Sequence, residues 1–248
     1  MTVLVEACVD SVDSALAAER GGAARIELCD ALSDGGTTPS AGMIETVKQR
    51  VGVPVFVIVR PRGGGFRYSE AELAVMMRDI AIARSCGADG IVTGALDASA
   101  TVHAAQTRAL VAAAGDRPVT FHRAFDLTRD LSEALDTLIE LGIERLLTSG
   151  GAATALDGVA TLRALVARAA GRIAVMAGGG IREESARQVV GASGVREIHV
   201  RGTRLARTTS SFTNDRVRFR KPLPDDEGAW DETDEGRVRS IVLTANGG

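Results

Sequence analysis

Eight short aliphatic segments, separated by segments with helical periodicity, constrain the fold of this chain more than any other feature. Each aliphatic segment has the length of a buried strand, and the segments between them repeat apolar residues with the 3.6-residue period of a helix. The predicted strands are residues 3–8, 25–29, 54–60, 90–93, 118–122, 145–148, 173–176 and 197–200. Eight strand–helix units in 248 residues predict a TIM (β/α)8 barrel, folded as a single α/β domain over residues 1–248.

A doubly wound open sheet is the alternative α/β architecture. It usually has fewer strands, and no Gly-x-Gly-x-x-Gly motif follows the first predicted strand. Hydrophobic residues make up 45% of the chain but aromatic residues only 3%, so the core must consist mainly of Ala, Val, Leu and Ile. Aliphatic strands of this kind are typical of parallel sheets covered on both faces. The closed barrel is therefore the preferred prediction.

The charge balance argues against several classes of partner. Lys and Arg total 29 and Asp and Glu total 32, which gives a formal net charge of −3. Nucleic acids and anionic membranes usually bind to a basic patch, so we expect neither as the main partner. The longest uncharged run, residues 146–156, is shorter than the roughly 18 apolar residues of a membrane helix. With no secretory leader pattern and three cysteines, too few for a disulfide framework, the sequence predicts a soluble cytoplasmic protein.

Residues 201–248 are less regular than the rest of the chain. Residues 201–221 contain seven basic residues and one acid, and residues 225–235 contain seven acids and no base. We interpret this segment as a solvated loop that crosses the barrel before a final helix, which Val238, Ile241 and Val242 mark. The alternative is a regulatory or oligomer-forming arm, so a homo-oligomer is one expectation for the assembly.

The first two predicted strands end in the same Glu-x-Cys pattern. Glu6 precedes Cys8 by two residues, and Glu27 precedes Cys29 by two. Because side chains alternate along a strand, both pairs are expected to point into the barrel. A buried carboxylate is costly unless it is paired or functional. Two such carboxylates on neighbouring strands favour a site at the C-terminal end of the barrel, where the active sites of this fold lie.

Arg60 and His122 add polar side chains at the ends of the third and fifth predicted strands. Arginine is suited to binding a carboxylate or a phosphate, and histidine can transfer protons near physiological pH. The structural alternative is an ion pair between one of the buried glutamates and Arg60 or Arg123. His199, at the end of the eighth predicted strand, is a weaker candidate.

Two glycine-rich segments follow late strands. Residues 149–151 follow the sixth predicted strand, and Gly178, Gly179 and Gly180 follow the seventh and lead into a predicted helix. Loops after the late strands of many barrels hold a phosphate through free backbone N–H groups at a helix start. These three glycines are therefore candidate anion-binding residues together with Arg60, although such turns also occur for steric reasons alone.

Several of these segments, taken in order, resemble the CutC copper homeostasis family over about residues 3–200. The matching sequences are VEACVDS at 5–11, RIELC at 25–29, GGTTPS at 35–40, RPRGG at 60–64, FHRAFD at 121–126, LTSGG at 147–151 and EIH at 197–199. Gly65 stands where the family often has an acid, and the segment after Arg201 departs further from the family pattern.

The resemblance implies a TIM barrel, a cytoplasmic location and a role in copper handling. The cysteines proposed to bind Cu(I) in this family match Cys8 and Cys29. Thiolates are soft ligands that select Cu(I). The resemblance implies no organic cofactor, and the expected partner is a copper ion.

The alternative hypothesis is an isomerase, lyase or hydrolase that acts on a small anionic molecule, with or without a phosphate group. Glu6, Glu27 and His122 would move protons, and Arg60 would hold the anionic group. A Schiff-base aldolase is not expected, because the two lysines, Lys48 and Lys221, lie in a predicted helix and a predicted loop rather than at strand ends. A purely structural role is the third and least favoured hypothesis.

Overall fold

The structure, a computed structural model, describes residues 2–212, 214, 216–217 and 226–248. Lys221, together with Asp215 and Asp225 of the charged segments, lies outside these described residues. The other lysine, Lys48, lies in a helix as predicted.

Eight parallel strands close into a barrel in the order in which they occur along the chain. They are β1 (Leu4–Val9), β2 (Arg25–Leu28), β3 (Val55–Ile58), β4 (Gly90–Thr93), β5 (Val119–Phe121), β6 (Arg145–Thr148), β7 (Ala174–Gly178) and β8 (Glu197–Val200). β1 pairs with both β2 and β8, which closes the ring and excludes an open doubly wound sheet. The TIM barrel prediction is confirmed, and the strand ends differ from the predicted ones by at most two residues.

Helices alternate with the strands and surround the barrel. They are α1 (Val12–Arg20), α2 (Ala41–Arg50), α3 (Glu70–Ser85), α4 (Ala104–Ala114), α5 (Leu131–Glu140), α6 (Val159–Ala169), α7 (Glu183–Ser193) and α8 (Glu235–Ala245). Local sequence defines several helix starts, because side chains there accept hydrogen bonds from otherwise unpaired N–H groups. Ser11 caps α1 in this way, and Ser69 forms a capping box with Glu72 at the start of α3. None of the helices in the described ranges has both the length and the apolar character needed to cross a bilayer.

Side chains that point outward from the strands pack against the helices and form the main core. Val5, Ala7, Ile26 and Leu28 belong to this cluster and are almost completely buried. Full burial of one such Val, Leu or Ile side chain contributes about 1.5–3 kcal/mol. A second, smaller apolar cluster lies inside the barrel and contains Cys8, Cys29, Phe56, Ile58 and Val92. The alternation of β1 and β2 thus places the two cysteines inside the barrel.

A network of buried charged side chains occupies the N-terminal half of the barrel interior. Arg25 Nε donates to Glu6, Arg25 Nη2 donates to Glu197 at 2.6 Å, and Arg145 Nε donates to the same Glu197 oxygen at 2.6 Å. The Phe56 ring lies 5.0 Å from Arg25 Cζ and 5.5 Å from Arg145 Cζ. Buried charges are tolerated when each is paired and hydrogen-bonded. This network therefore forms a polar floor beneath the C-terminal mouth.

Part of the segment after β8 forms a sheet that was not predicted. β9 (Thr203–Arg207) and β10 (Ala229–Thr233) pair antiparallel. The Thr233 N–H donates to Ser14 Oγ at 3.2 Å, which attaches this sheet to α1. The predicted final helix is present as α8, with Val238 and Ile241 buried.

Candidate metal centre

Cys8, Glu27 and Cys29 bring three potential metal-ligand atoms together at the C-terminal ends of β1 and β2. The two Sγ atoms are 3.7 Å apart, and Cys29 Sγ lies 3.6 Å from Glu27 Oε2. Cys8 pairs with Glu27 in the strand register, and Cys29 lies two residues further along on the same face. All three side chains are buried, and their ligand atoms lie within 4.8 Å of one another. The repeated Glu-x-Cys pattern therefore yields one compact cluster.

His199 at the end of β8 completes the surroundings of Glu27. Its Nε2 lies 2.8 Å from Glu27 Oε2 and 3.9 Å from Glu6 Oε1. Burial by itself lowers the pKa of His199, but the Glu27 carboxylate and Cys8 raise this pKa well above its usual value. Burial by itself raises the pKa of Glu27, but the charge and hydrogen bond of His199 bring it below its usual value. At neutral pH this is a carboxylate–imidazolium pair beside two sulfur atoms.

The Cys29 thiol retains its proton when no metal is bound. The hydrogen bond with Cys8, then burial, and then the nearby Glu27 charge raise the pKa of Cys29 well above its usual value. A metal ion that binds here must displace that proton, because the thiolate is the ligand.

His122 lies at the end of β5 and is 5% exposed. Its Nδ1 accepts a hydrogen bond from the Ala124 N–H at 3.3 Å, and its ring packs on Phe66 with centroids 4.8 Å apart. Burial lowers the pKa of His122 to about 4, since the opposing effect of Glu27 is smaller. The ring is therefore neutral at pH 7. Its Nε2 has no partner among the described residues.

Arg60 is oriented by backbone carbonyls. Nη1 donates to the carbonyl oxygens of Asp34 and Gly36 at 2.9 and 2.8 Å, and Nη2 donates to that of Gly64 at 2.7 Å. These bonds connect the loops that follow β2 and β3. Within the described part of the chain, Arg60 Nε is left without an acceptor. The backbone carbonyls thus occupy three of the five N–H groups of the guanidinium, and the Nε–H group is left for a ligand.

A cavity of about 650 Å³ opens at this mouth of the barrel. The predicted site residues that line it are Cys8, Glu27, Cys29, Arg60, His122, Gly179 and Gly180, and His199 joins them. Glu6 and Gly178 do not. Glu6 is completely buried in the polar floor and pairs with Arg25 instead of the expected Arg60 or Arg123. Gly178 is the last residue of β7 and is also buried.

Sequence reasoning gave His199 too little weight as a site residue and missed Arg25 in the polar floor. His199 follows Glu197 by two residues, so β8 repeats the spacing of the Glu-x-Cys pairs, and this signal could have raised its rank. Arg25 precedes Glu27 by two residues and therefore shares its inward face, so strand alternation could have placed this arginine inside the barrel, although not its pairing with Glu6.

Cys86, the third cysteine, lies at the C-terminal end of α3. It is half-buried, and its Sγ lies 3.6 Å from Glu45 Oε1, which places it outside the site.

Comparison with known proteins agrees with the resemblance seen in the motifs. The model of the CutC family matches residues 3–204. The human and mouse copper homeostasis protein cutC homologs are each 46% identical to this chain over 242 residues, which is 98% of this chain and 89% of theirs. The solved structure of a CutC protein from Streptococcus agalactiae superposes with a TM-score of 0.77 at 33% identity. The superposition covers 80% of this chain and 98% of the Streptococcus agalactiae chain.

Proposed function

Because this chain belongs to the CutC family of copper homeostasis proteins, we propose that it binds one Cu(I) ion through Cys8 and Cys29. The observation that carries this proposal is the 3.7 Å separation of two buried Sγ atoms. Soft thiolates select Cu(I) over the harder divalent ions. Within the described part of the chain, Cys8, Glu27 and Cys29 are the one group of three or more His, Cys, Asp or Glu side chains close enough to share a metal ion.

The neighbouring charges suit the exchange of protons for a metal ion. Both cysteines must bind as thiolates, so the thiol protons of Cys8 and Cys29 leave as Cu(I) binds. Two thiolates with one Cu(I) then carry a net charge of −1 beside the Glu27 carboxylate. The His199 imidazolium, 2.8 Å from Glu27 Oε2, offsets one of these two negative charges inside the barrel. His199 thus stabilises the loaded site without being a ligand itself.

A reducing compartment is required for this chemistry, because an oxidised thiol cannot act as a thiolate ligand. All three cysteines are free. We therefore propose a cytoplasmic location, where thiols stay reduced.

An anaerobic titration with Cu(I) against a competing chelator tests the proposal. The wild type is expected to take up one Cu(I), and the Cys8→Ser/Cys29→Ser variant is expected to lose this binding. Cys86→Ser is the matched control, because Cys86 is remote from the cluster, and it should bind as the wild type does. Unchanged stoichiometry and affinity in the double variant would refute the proposal.

A second candidate function is proton transfer on a small anionic substrate, as in an isomerase or a lyase. The observation that favours it is a cavity of about 650 Å³, far larger than one metal ion needs, with the unpartnered His122 Nε2 on its wall. His122 and Glu27 are the residues placed to transfer protons. Incubation of small sugar phosphates and hydroxy acids in D2O, followed by NMR, tests this function. Deuterium incorporation that Glu27→Gln and His122→Gln abolish would support it, and no incorporation would exclude proton abstraction from these carbon acids.

A further inference from the structure

The loop after β7 presents backbone N–H groups that have no acceptor in the described part of the protein. Gly179 and Gly180 have φ values of +110° and +69°, which L-residues with side chains rarely adopt. None of the backbone hydrogen bonds of the described residues uses the N–H of Gly179, Gly180 or Ile181. Successive free N–H groups in such a turn form an anion-binding concavity. α7 begins two residues later at Glu183, so its N-terminus follows this loop closely, although its first turn also carries the acids Glu183 and Glu184.

Arg123 lies against this loop and is held in position. Its Nε donates to Asp126 Oδ2 at 2.8 Å, and its Nη2 donates to Ser149 Oγ at 2.8 Å. Nη1 has no acceptor among the described residues, and a Cβ atom on Gly179 would lie 3.2 Å from it. Asp126 also accepts from the N–H groups of Ser149 and Gly151, which fixes the carboxylate in turn. The guanidinium is therefore pre-organised, with one free donor facing the glycine loop.

Two further unpartnered donors point to a ligand in the same cavity. His122 Nε2 and Arg60 Nε both lack a partner within the described ranges, and the two residues are only 5% and 4% exposed. Because His122 Nδ1 accepts the Ala124 N–H, the neutral ring carries its proton on Nε2 and donates there. Buried donors of this kind normally have acceptors.

The ionisable groups around the cavity add to the excess of donors. Five arginines line it against three carboxylates, which belong to Glu27, Glu183 and Asp231. Glu27 is already paired with His199. The lining as a whole favours a ligand that is negatively charged and rich in acceptor oxygens.

We infer that this cavity binds a small organic phosphate. Its phosphate group would accept hydrogen bonds from the N–H groups of Gly179, Gly180 and Ile181 and from Arg123 Nη1. A hydroxyl or carbonyl oxygen elsewhere in the ligand would accept from His122 Nε2 and Arg60 Nε. A phosphate dianion can accept hydrogen bonds from more of these convergent donors than a carboxylate can. These contacts lie on a different wall of the cavity from the Cys8–Glu27–Cys29 cluster, which lines the same cavity, and the inference does not rest on copper binding.

NMR titration of the reduced, metal-free wild type with inorganic phosphate tests the inference directly. The amide resonances of Gly179, Gly180 and Ile181 should shift together, and glycerol phosphate should then bind about tenfold more tightly because it also reaches His122 and Arg60. Absence of shifts at these amides at millimolar phosphate would overturn the inference. Equal affinity for phosphate and glycerol phosphate would mean an adventitious ion only, and tighter binding of malonate would exclude phosphate as the preferred group.

Two arginine variants separate a specific contact from a general charge effect. Arg123→Gln should weaken phosphate binding about tenfold or more, since it removes a charged donor. Arg187→Gln, at an exposed position of α7 that does not line the cavity, removes the same charge and should leave phosphate binding unchanged. Equal effects of the two variants would overturn the inference. Arg123 also holds the loop that follows β6 through Ser149, so its replacement can disturb the fold for a structural reason. If Arg123→Gln does not fold, the amide shifts of the wild type alone test whether phosphate binds at the glycine loop.

Discussion

At His122, burial has a larger effect on protonation than the neighbouring carboxylate. The pKa of this histidine is about 4 in the folded protein, compared with 6.5 for a free side chain. Between these two values the unfolded chain binds more protons than the folded one. Stability therefore falls as the pH drops from about 6.5 towards 4, and above 6.5 this contribution no longer changes.

Replacement of His122 by Gln should remove this pH dependence. The contribution lost by the wild type between pH 7 and pH 4.5 is on the order of 2 kcal/mol, from about 1.4 kcal/mol per pKa unit. Urea unfolding of both proteins at the two pH values gives the comparison. The wild type should lose more stability than His122→Gln on acidification, and parallel losses would show that His122 is not kept neutral by the fold.

Glu6, unlike Glu27, does not line the cavity, and we expect this buried carboxylate to have a structural role in the polar floor. It is completely buried and paired with Arg25, which also bonds Glu197. Glu6→Gln leaves the Arg25 charge short of one partner. Breaking a buried pair from one side costs about 3–5 kcal/mol. Chemical denaturation should therefore show a large destabilisation. A variant as stable as the wild type would contradict the structural assignment and revive a role for Glu6 in proton transfer.

At the level of elements, the eight barrel strands could be predicted because each is a short aliphatic segment between helical patterns. β9 and β10 could not, since Thr203–Arg207 and Ala229–Thr233 lie among charged residues without an apolar alternation. Inward placement of the Glu-x-Cys pairs followed from strand periodicity alone. Which arginine meets which carboxylate depends on the register and the loops, so Arg25 with Glu6 and Arg123 with Asp126 emerged only in three dimensions.

The turn between β6 and α6 offers a test of how tightly these elements fit. A Cβ atom on Gly158 would lie 1.8 Å from the Ser149 carbonyl oxygen, which belongs to the backbone and cannot move freely. Gly158→Ala should therefore destabilise the protein by about 1–3 kcal/mol. Gly191→Ala is the control within α7, where nothing lies within 4 Å of the added methyl group. It should raise stability by about 0.5–1 kcal/mol, because Ala favours the helix. Calorimetric melting temperatures that move in the same direction for both would contradict this account.

On the scale of the whole molecule, the barrel combines two chemically different walls above one polar floor. The ends of β1 and β2 carry the thiols and Glu27, whereas Arg123 and the Gly179–Gly180 loop present unpaired donors to the same cavity. The match to the CutC family model spans residues 3–204, a range that contains the residues of both walls. In the described part after residue 204, β10 and α8 contact α1, and β9 pairs with β10.

X-ray absorption spectroscopy at the copper edge, on anaerobically loaded wild-type protein, shows directly whether the two thiols bind Cu(I). We expect one Cu(I) per chain with two sulfur atoms in its first coordination shell, because Cys8 and Cys29 are the two closely spaced thiols. Loss of a sulfur ligand in Cys29→Ser, but not in Cys86→Ser, is part of the same prediction. A shell of nitrogen and oxygen ligands in the wild type, or a spectrum that Cys29→Ser leaves unchanged, would contradict it.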